Sequence, residues 1–403
     1  MSRNLPDWIE GYLTYVENTE PPRSYHLWCA LSVIAGALQR KVRLEMGFEV
    51  LYPNLFVILI GPSGGARKGV ALGIAKSMLQ CVPGVAVAPE STSGREAIVG
   101  AMKRVNANYQ DPTDGKIKFH CSLTAFSEEL SVFLGQGDIK LLANMTDWYD
   151  SKDNWEYETI GRGIDSIQGL CFNLMGATAP EWIQSMLPHE AIGGGFTSRV
   201  IFVVEERKGK TVPDHSITNE EAALGEMLVQ DLERINQLSG AFTLSPEARA
   251  AYSVWYTQQD KLLAQGKYPV DDPRFRAYCE RRQTHLRKVM MLCSASRSDA
   301  MKIELQDLER AKGILVLTEQ KMGLTFGGLG KSLTGDATEQ IKNYIETMQI
   351  TTRSLVLARF YRDIDSQTLR VVEDTLYQMG LIKVELLPTK GDKSYTWIGP
   401  TKH

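Results

Sequence analysis

The segment LFVILIGPSGGARKG, residues 55–69, decides the fold prediction for this chain. Residues 55–60 are six consecutive apolar side chains, which is typical of a parallel strand buried on both faces. A glycine-rich turn follows over 61–69, and residues 70–80 are predicted to form a helix. A strand, a glycine-rich loop and a helix in this order are the context of a phosphate-binding loop, because backbone N–H groups and the helix N-terminus can surround phosphate oxygens.

The loop departs from the usual phosphate-loop pattern, G-x-x-x-x-G-K-[ST], in two places. Counted from Gly61, the lysine position holds Arg67, so Lys68 fits only if the loop is one residue longer. The next residue is then Gly69, which has no hydroxyl for Mg²⁺, so that water and a carboxylate elsewhere would hold the ion. The alternative is a plain glycine-rich turn. The residues that we assign to phosphate binding are Gly61, Ser63, Gly64, Gly65, Ala66, Arg67, Lys68, Gly69 and Val70.

Three further apolar runs read as buried strands, over residues 123–126, 170–175 and 199–204. Strands separated by helical or irregular stretches predict βαβ units, so the fold class is α/β. The predicted domains are an N-terminal helical segment (1–50), a phosphate-loop core (51–217), a mostly helical extension of that core (218–330) and a separate C-terminal domain (331–403).

The composition excludes a protein that holds DNA through bulk charge. Among 403 residues, 45 Lys+Arg stand against 48 Asp+Glu, a net charge of -3, although a local basic patch stays compatible with this balance. The six cysteines form no C-x-x-C pair, which argues against zinc ribbons and fingers. The N-terminus lacks the apolar core of a signal peptide, and no apolar run approaches the length of a membrane span, so we expect a cytoplasmic protein.

The last seventy residues follow the order helix, helix, helix and two-stranded hairpin, which predicts a winged helix. Ser366 is predicted to cap the third helix, residues 368–379. Ten Lys+Arg against nine Asp+Glu from Lys331 onward leave protein binding as an alternative to DNA binding. The predicted DNA contacts of this domain are Gln367 and Arg370 near the helix start and Lys390 and Lys393 in the hairpin.

A basic segment within the helical extension, residues 274–294, is a second candidate for nucleic-acid binding. Arg281, Arg282 and Lys288 alternate there with aromatic residues, and such patterns let cations neutralise phosphates while rings stack on bases. The alternatives are a solvated helix face and packing inside the protein.

The chain resembles the P-loop ATPases of phages, plasmids and integrated mobile elements, a family often linked to primases and similar to RecA-like replicative helicases. The resemblance covers about residues 6–295 and rests on the order and spacing of four segments. These are YPNL (52–55) leading into the R-K-G loop ending, FSEEL (126–130), GATAPE (176–181) and GFTSR (195–199).

The resemblance implies a RecA-like core that binds ATP and Mg²⁺, with Lys68 on the phosphates. Glu128 takes the metal-side position and Glu129 that of the general base, although the order of the two roles is open, and a helix start carrying two acids is the alternative. At the next strand end, Thr178 is a candidate sensor of the γ-phosphate. Arg199 is the candidate arginine finger into a neighbouring subunit's nucleotide, with Arg162 as second choice.

These assignments favour an ATP-driven nucleic-acid motor, a replicative helicase or helicase-like ATPase. We expect a homo-oligomer, such as a ring of six subunits, with single-stranded DNA in its channel, duplex DNA at the winged helix, and a primase or another replication protein as partner. One alternative is a nucleotide-dependent adaptor or loader on DNA with little or no hydrolysis, which the missing hydroxyl at Gly69 favours. Another is a winged-helix regulator with a vestigial P-loop.

Overall fold

The computed structural model describes residues 3–135, 138–159, 163–187, 193–214, 216–326, 335–361, 364–387 and 392–399. The chain divides into two compact units, Met1–Phe326 and Gly327–His403. No helix in the described ranges is both long and apolar enough to cross a membrane.

The first unit combines helices with three groups of strands. Its helices are α1 (Trp8–Tyr15), α2 (Arg23–Leu38), α3 (Lys68–Gln80), α4 (Gly94–Arg104), α5 (Leu130–Leu134), α6 (Ile139–Tyr149), α7 (Pro180–Met186), α8 (Asn219–Gln237), α9 (Pro246–Ala264), α10 (Arg276–Arg297) and α11 (Leu305–Met322). Its strands are β1 (Val42–Met46), β2 (Glu49–Leu51), β3 (Phe56–Ile60), β4 (Asn106–Gln110), β5 (Ile117–Ser127), β6 (Asn154–Thr159), β7 (Gly163–Gln168), β8 (Leu170–Thr178), β9 (Val200–Val204), β10 (Gly240–Leu244) and β11 (Lys302–Ile303).

The main sheet has the strand order β4-β5-β8-β3-β9. Strands β5, β8, β3 and β9 run parallel, and β4 pairs antiparallel with β5 at one edge. At the end of β3, Ile60 lies opposite Thr178 of β8 and Val204 of β9. Every residue of β3, β8 and β9 is buried, as continuous apolar runs predict for strands covered on both faces. The α/β class is therefore confirmed.

Opposite faces of the sheet pack against α2 and α6. On β8, Phe172 contacts Trp148 of α6, whereas the amide of the next residue, Asn173, donates to the Ser32 carbonyl of α2. Successive strand residues point to opposite faces, so the two helices enclose the sheet. Helix α2 approaches closely because Gly36 has no side chain: a Cβ there would lie 2.7 Å from the Thr124 hydroxyl.

Several strands escaped the sequence prediction. A mixed sheet of order β11-β10-β1-β2 takes β10 and β11 from the stretch that was predicted to be mostly helical. Strand β4 was also missed, and β6 pairs with β7 as an antiparallel hairpin. Strand β11 has only two residues and β10 only five, and runs this short show too little hydrophobic periodicity to be distinguished from the neighbouring helices.

The second unit contains three helices and an antiparallel sheet of order β12-β14-β13. Its elements are α12 (Gly335–Met348), β12 (Ile350–Thr352), α13 (Arg353–Phe360), α14 (Ser366–Gln378), β13 (Ile382–Leu386) and β14 (Lys393–Trp397). Asp365, not Ser366 as predicted, caps α14, because its carboxylate accepts from the backbone N–H of Thr368 at 2.7 Å and of Gln367 at 3.1 Å. The apolar core joins all three helices to the sheet through Ile341, Ile345, Val356, Leu369, Val372, Leu376, Ile382 and Tyr395.

Candidate functional site

The carboxyl ends of the parallel strands bring four segments to one edge of the main sheet. The loop 61–67 follows β3, the acids Glu128 and Glu129 follow β5, Thr178 ends β8, and Glu205 follows β9. In open parallel sheets the crevice outside these strand ends is the place where ligands bind. The sequence-predicted loop and acids therefore share one edge, with β8 lying between their strands.

The loop folds tightly against its surroundings at Gly61. A Cβ at this residue would lie 2.5 Å from the Glu205 carbonyl oxygen and 2.7 Å from the Tyr25 hydroxyl, so only glycine fits. The same hydroxyl donates to the carbonyl of Ile60 at 2.6 Å. Gly64, with a φ of 68°, turns the chain in a left-handed conformation that glycine adopts without strain. These contacts hold the loop at the strand end.

The structure distinguishes the two basic residues of the loop. The Lys68 ammonium donates to the carbonyl oxygens of Gly61 at 2.6 Å and Pro62 at 3.1 Å, so it lies across the mouth of the loop. Burial lowers the pKa of Lys68, while the carboxylates of Glu129 and Glu181 raise it. Lys68 is thus the cation that a phosphate in this loop would meet, as the longer loop register predicts.

Arg67 has a different environment. Its backbone, with a φ of 55°, caps the start of α3, and its Nε donates to Oε2 of Glu20 at 2.7 Å. Lys208 donates to the other oxygen of the same carboxylate, and hydrogen bonds from Lys208 and Arg67 lower the pKa of Glu20 to about 2. The Arg67 guanidinium, which the sequence assigned to nucleotide binding, is therefore turned away from the loop and paired.

The remaining loop residues form the rim of the site. Ser63, Gly64 and Gly65 are exposed, whereas Ala66 is buried beneath the turn. Helix α3 begins at Lys68, so that Val70 lies in its first turn. The start of α3 has no side-chain cap, which leaves its first N–H groups for a ligand.

The two glutamates at the end of β5 have exposed side chains that face the start of α3. A Cβ on Gly69 would lie 3.1 Å from Oε2 of Glu128, so this carboxylate fills the space that a serine or threonine side chain would take. Glu129 occupies the cap position of α5. Mg²⁺ is commonly bound by one or two carboxylates together with substrate phosphates and water, and Glu128 fits that role. No group of three or more His, Cys, Asp or Glu within the described residues could hold a metal ion.

Two further polar residues of β8 have separate surroundings. Thr178 is 4% exposed, and its carbonyl oxygen accepts the N–H of Gly61 at 3.3 Å, which ties the end of β8 to the loop. Asn173 lies inside the protein, where its Oδ1 accepts from the N–H of Leu55 at 2.9 Å. Thr178 thus lies beside the loop at the strand end, whereas Asn173 supports the sheet.

Glu181 is a site residue that the sequence reasoning left without a role. It lies in the first turn of α7, directly after β8, and its charge reaches Lys68. The sequence offered one indication of a role for Glu181, its position in the segment 176–181. Only the fold shows that the end of β8 lies beside the loop.

Arg199 does not have the exposure that an arginine finger requires. It precedes β9 at the opposite end of the strand from Glu205, and its Nη2 lies 2.5 Å from Oδ2 of Asp150. Nη1 donates to the Gly195 carbonyl at 2.8 Å, and the side chain is only 10% exposed. These contacts hold the Arg199 side chain within its own subunit, and its role in a neighbour's nucleotide site stays a prediction. Arg162, the second choice, lies outside the described residues.

Two of the three predicted contacts on α10, Arg282 and Lys288, face inward rather than toward solvent. Arg282 forms a buried pair with Glu319, with nitrogen–oxygen distances of 2.6 and 2.7 Å. Lys288 is 2% exposed and donates to the Oδ1 of Asn54 at 2.7 Å, and burial lowers its pKa to about 7. Of the three predicted contacts, Arg281 is the one that is partly exposed, 3.7 Å from Asp150. The prediction that Arg282 and Lys288 contact nucleic acid is wrong, because their charges are used inside the protein.

Replacing Arg282 with alanine is expected to lower the free energy of unfolding by about 3 kcal/mol, since Glu319 would be left as an unpaired buried charge. Urea unfolding checks this value. The matched control is Arg281→Ala, one residue earlier and partly exposed, which should cost less than about 1 kcal/mol. Equal losses of stability in the two variants would contradict the buried Arg282–Glu319 pair. Weakened DNA binding without loss of stability in Arg282→Ala would restore the nucleic-acid prediction.

In the second unit, two of the four predicted DNA contacts are exposed. Gln367 and Arg370 lie on the surface of α14. Lys393 pairs instead with the buried carboxylate of Glu373, which also accepts from the Tyr395 hydroxyl at 2.9 Å. Glu373 thus faces the sheet and not a ligand surface. Lys390 lies outside the described residues.

Neither a comparison with protein-family models nor one with curated proteins finds a match for this chain.

Proposed function

We propose that this chain is a RecA-like P-loop ATPase that couples ATP hydrolysis to work on nucleic acid, as a helicase or helicase-like motor does. The observation that carries the proposal is the position of the Lys68 ammonium in a glycine-rich loop after β3, on the same sheet edge as Glu128 and Glu129. A lysine in the loop, N–H groups at a helix start and a pair of acids are the parts that phosphoryl transfer needs.

In this proposal each residue of the edge has one task. Lys68 leaves the loop carbonyls to bind phosphate oxygens, and Glu128 holds Mg²⁺ in place of the missing hydroxyl at Gly69. Glu129 orients the attacking water and takes its proton. Mg²⁺ supplies charge neutralisation on the phosphates when it is bound. Thr178, at the end of the intervening strand, would sense the terminal phosphate.

The second unit supports the nucleic-acid part of the proposal. Its element order, α12-β12-α13-α14-β13-β14 with β13 paired to β14, is compatible with a winged helix, in which α14 would be the recognition helix. Gln367 and Arg370, both exposed near the start of α14, would contact duplex DNA. Single-stranded DNA, a homo-oligomeric ring and a replication partner such as a primase complete the motor proposal.

A second candidate function, an ATP-dependent adaptor or loader, is favoured by the pairing of Arg199 with Asp150. An ATPase that takes an arginine from a neighbour accelerates hydrolysis about 10³–10⁵-fold, and this chain keeps its candidate arginine for an internal contact. An adaptor would bind ATP, assemble on DNA and release phosphate slowly.

Phosphate release from Mg²⁺–ATP, measured with and without single-stranded DNA, separates the two functions. For the motor we expect repeated turnover that DNA stimulates, accompanied by a rise in particle mass when ATP and DNA are both present. ATP binding without stimulated turnover would select the adaptor. Failure to bind ATP would contradict both.

A further inference from the structure

A cavity of about 220 Å³ lies between the α1–α2 connection and the chain that follows β9. Apolar side chains and the imidazole of His26 form much of its wall. Two exposed cations, Arg23 and Lys210, also line it. The lining residues that matter here are Leu13, Val16, Pro21, His26, Gly209 and Lys210. Neither the phosphate loop nor the acids at the end of β5 line it.

Glu20 connects this cavity to the phosphate loop. Its carboxylate receives the hydrogen bond from Arg67 at the end of the loop, and its backbone carbonyl accepts from the N–H of Gly209 at 2.9 Å. Its neighbour Pro21 lies in the cavity wall, and a Cβ on Gly209 would come within 3.2 Å of the Pro21 carbonyl. Glu20 thus connects the end of the phosphate loop to the two sides of the cavity, the α1–α2 connection and the chain around Gly209.

The sheet order sets the direction in which a nucleotide would extend. Strand β3 lies between β8 and β9, and the acids Glu128 and Glu129 lie beyond β8. If the terminal phosphate contacts these acids, the phosphate chain runs from β8 toward β9. The sugar and base then lie on the β9 side of the loop. The cavity lies on that side, next to the chain 205–212. This step rests on the proposed ATP site.

The imidazole of His26 offers an unused hydrogen-bond acceptor. The Thr19 hydroxyl donates to the Val16 carbonyl at 2.7 Å, so its oxygen accepts from Nε2 of His26, 2.8 Å away. The ring proton therefore sits on Nε2, and Nδ1 is left as an acceptor with no partner among the described residues. His26 is 2% exposed, and burial lowers its pKa to about 4, so the ring is neutral at pH 7.

We propose that this cavity binds the base of the nucleotide whose phosphates occupy the loop, and that His26 selects adenine. The amino group of adenine donates to Nδ1, while Leu13, Val16 and Pro21 cover the apolar faces of the ring. Guanine carries a carbonyl oxygen at the position of the adenine amino group. This oxygen and Nδ1 of His26 are both acceptors, so neither would receive a hydrogen bond. ATP should therefore bind more tightly than GTP.

Photolabelling of the unmodified protein with 8-azido-ATP tests the location directly. We expect the label on peptides that contain residues 13–26 or 205–212, and excess ATP should suppress it. If excess ATP suppresses the label but the label maps to other segments, the proposed base site is wrong and the phosphate site still stands. Absence of any suppressible label would contradict the ATP site itself and the base site with it.

The variant His26→Leu tests the selection of adenine by equilibrium titration with ATP, GTP and inorganic tripolyphosphate. We expect the preference for ATP over GTP to fall by about tenfold, the effect of one hydrogen bond, with tripolyphosphate affinity unchanged. Unchanged tripolyphosphate binding also shows that the variant is folded. Val16→Phe, which fills the cavity, should weaken ATP binding and spare tripolyphosphate. An unaltered ATP-to-GTP ratio in a variant that still binds tripolyphosphate overturns the assignment of His26.

Discussion

Replacing Glu129 with glutamine is expected to slow ATP hydrolysis by about 10³-fold while ATP affinity stays nearly unchanged. Glutamine keeps the size and the position of the side chain at the cap of α5 but cannot take a proton from the attacking water. Removal of a positioned general base typically costs 10²–10⁴ in rate. Phosphate release under saturating ATP measures the loss, and a binding titration measures the retained affinity.

Two further variants make the Glu129 result specific. Glu309→Gln, on the exposed surface of α11, removes one charge far from the sheet edge and should leave the rate unchanged. Glu128→Gln should mainly raise the Mg²⁺ concentration that half-maximal turnover requires, because its carboxylate lies against Gly69. If Glu128→Gln abolishes turnover at saturating Mg²⁺ while Glu129→Gln does not, the two acids have the opposite roles.

Replacing Lys68 with alanine is expected to lower kcat/KM for ATP hydrolysis by about 10³-fold or more. Its ammonium is the cation that lies across the loop mouth, beside the carbonyls of Gly61 and Pro62. Removing one preorganised donor from a phosphoryl- or acyl-transfer site costs about 10²–10³ in rate, and the loss of a charged hydrogen bond weakens binding as well. Steady-state kinetics and a binding titration separate the two contributions.

The comparison of Lys68 with Arg67 decides the register of the loop. Arg67→Ala should change kcat/KM by less than about tenfold, because the guanidinium is already paired with Glu20. Lys76→Ala, two turns further along α3, serves as the control for a lost charge on the same helix. A larger loss in Arg67→Ala than in Lys68→Ala would contradict the longer loop and support the count from Gly61 that places Arg67 at the lysine position.

The parts of this structure that sequence reasoning predicted well are those with an uninterrupted local signal. Six apolar residues at 55–60 predict a strand buried on both faces, and β3 is buried at every position. The helices and the final hairpin of the second unit also follow their predicted order, although Asp365 and not Ser366 caps the third helix.

The incorrect predictions concern residues whose partners lie far away in the chain. Arg282 and Lys288 look like a basic helix face until Glu319, 37 residues later, and Asn54, 234 residues earlier, come into contact with them. Arg199, whose role as an arginine finger stays a prediction, meets Asp150 from another element in the same way. Burial of a charge depends on tertiary contacts, and the local spacing of residues does not predict which distant group neutralises the charge.

Hydrogen–deuterium exchange with and without Mg²⁺–ATP is the most direct measurement of the central claim, that phosphates bind in the loop between β3 and α3. The backbone N–H groups of the loop and of the first turn of α3 would surround the phosphates. We predict that ATP slows exchange in the peptide that spans residues 61–70 and that Lys68→Ala removes this protection. Protection that arises elsewhere while residues 61–70 exchange at their unliganded rate would contradict the account.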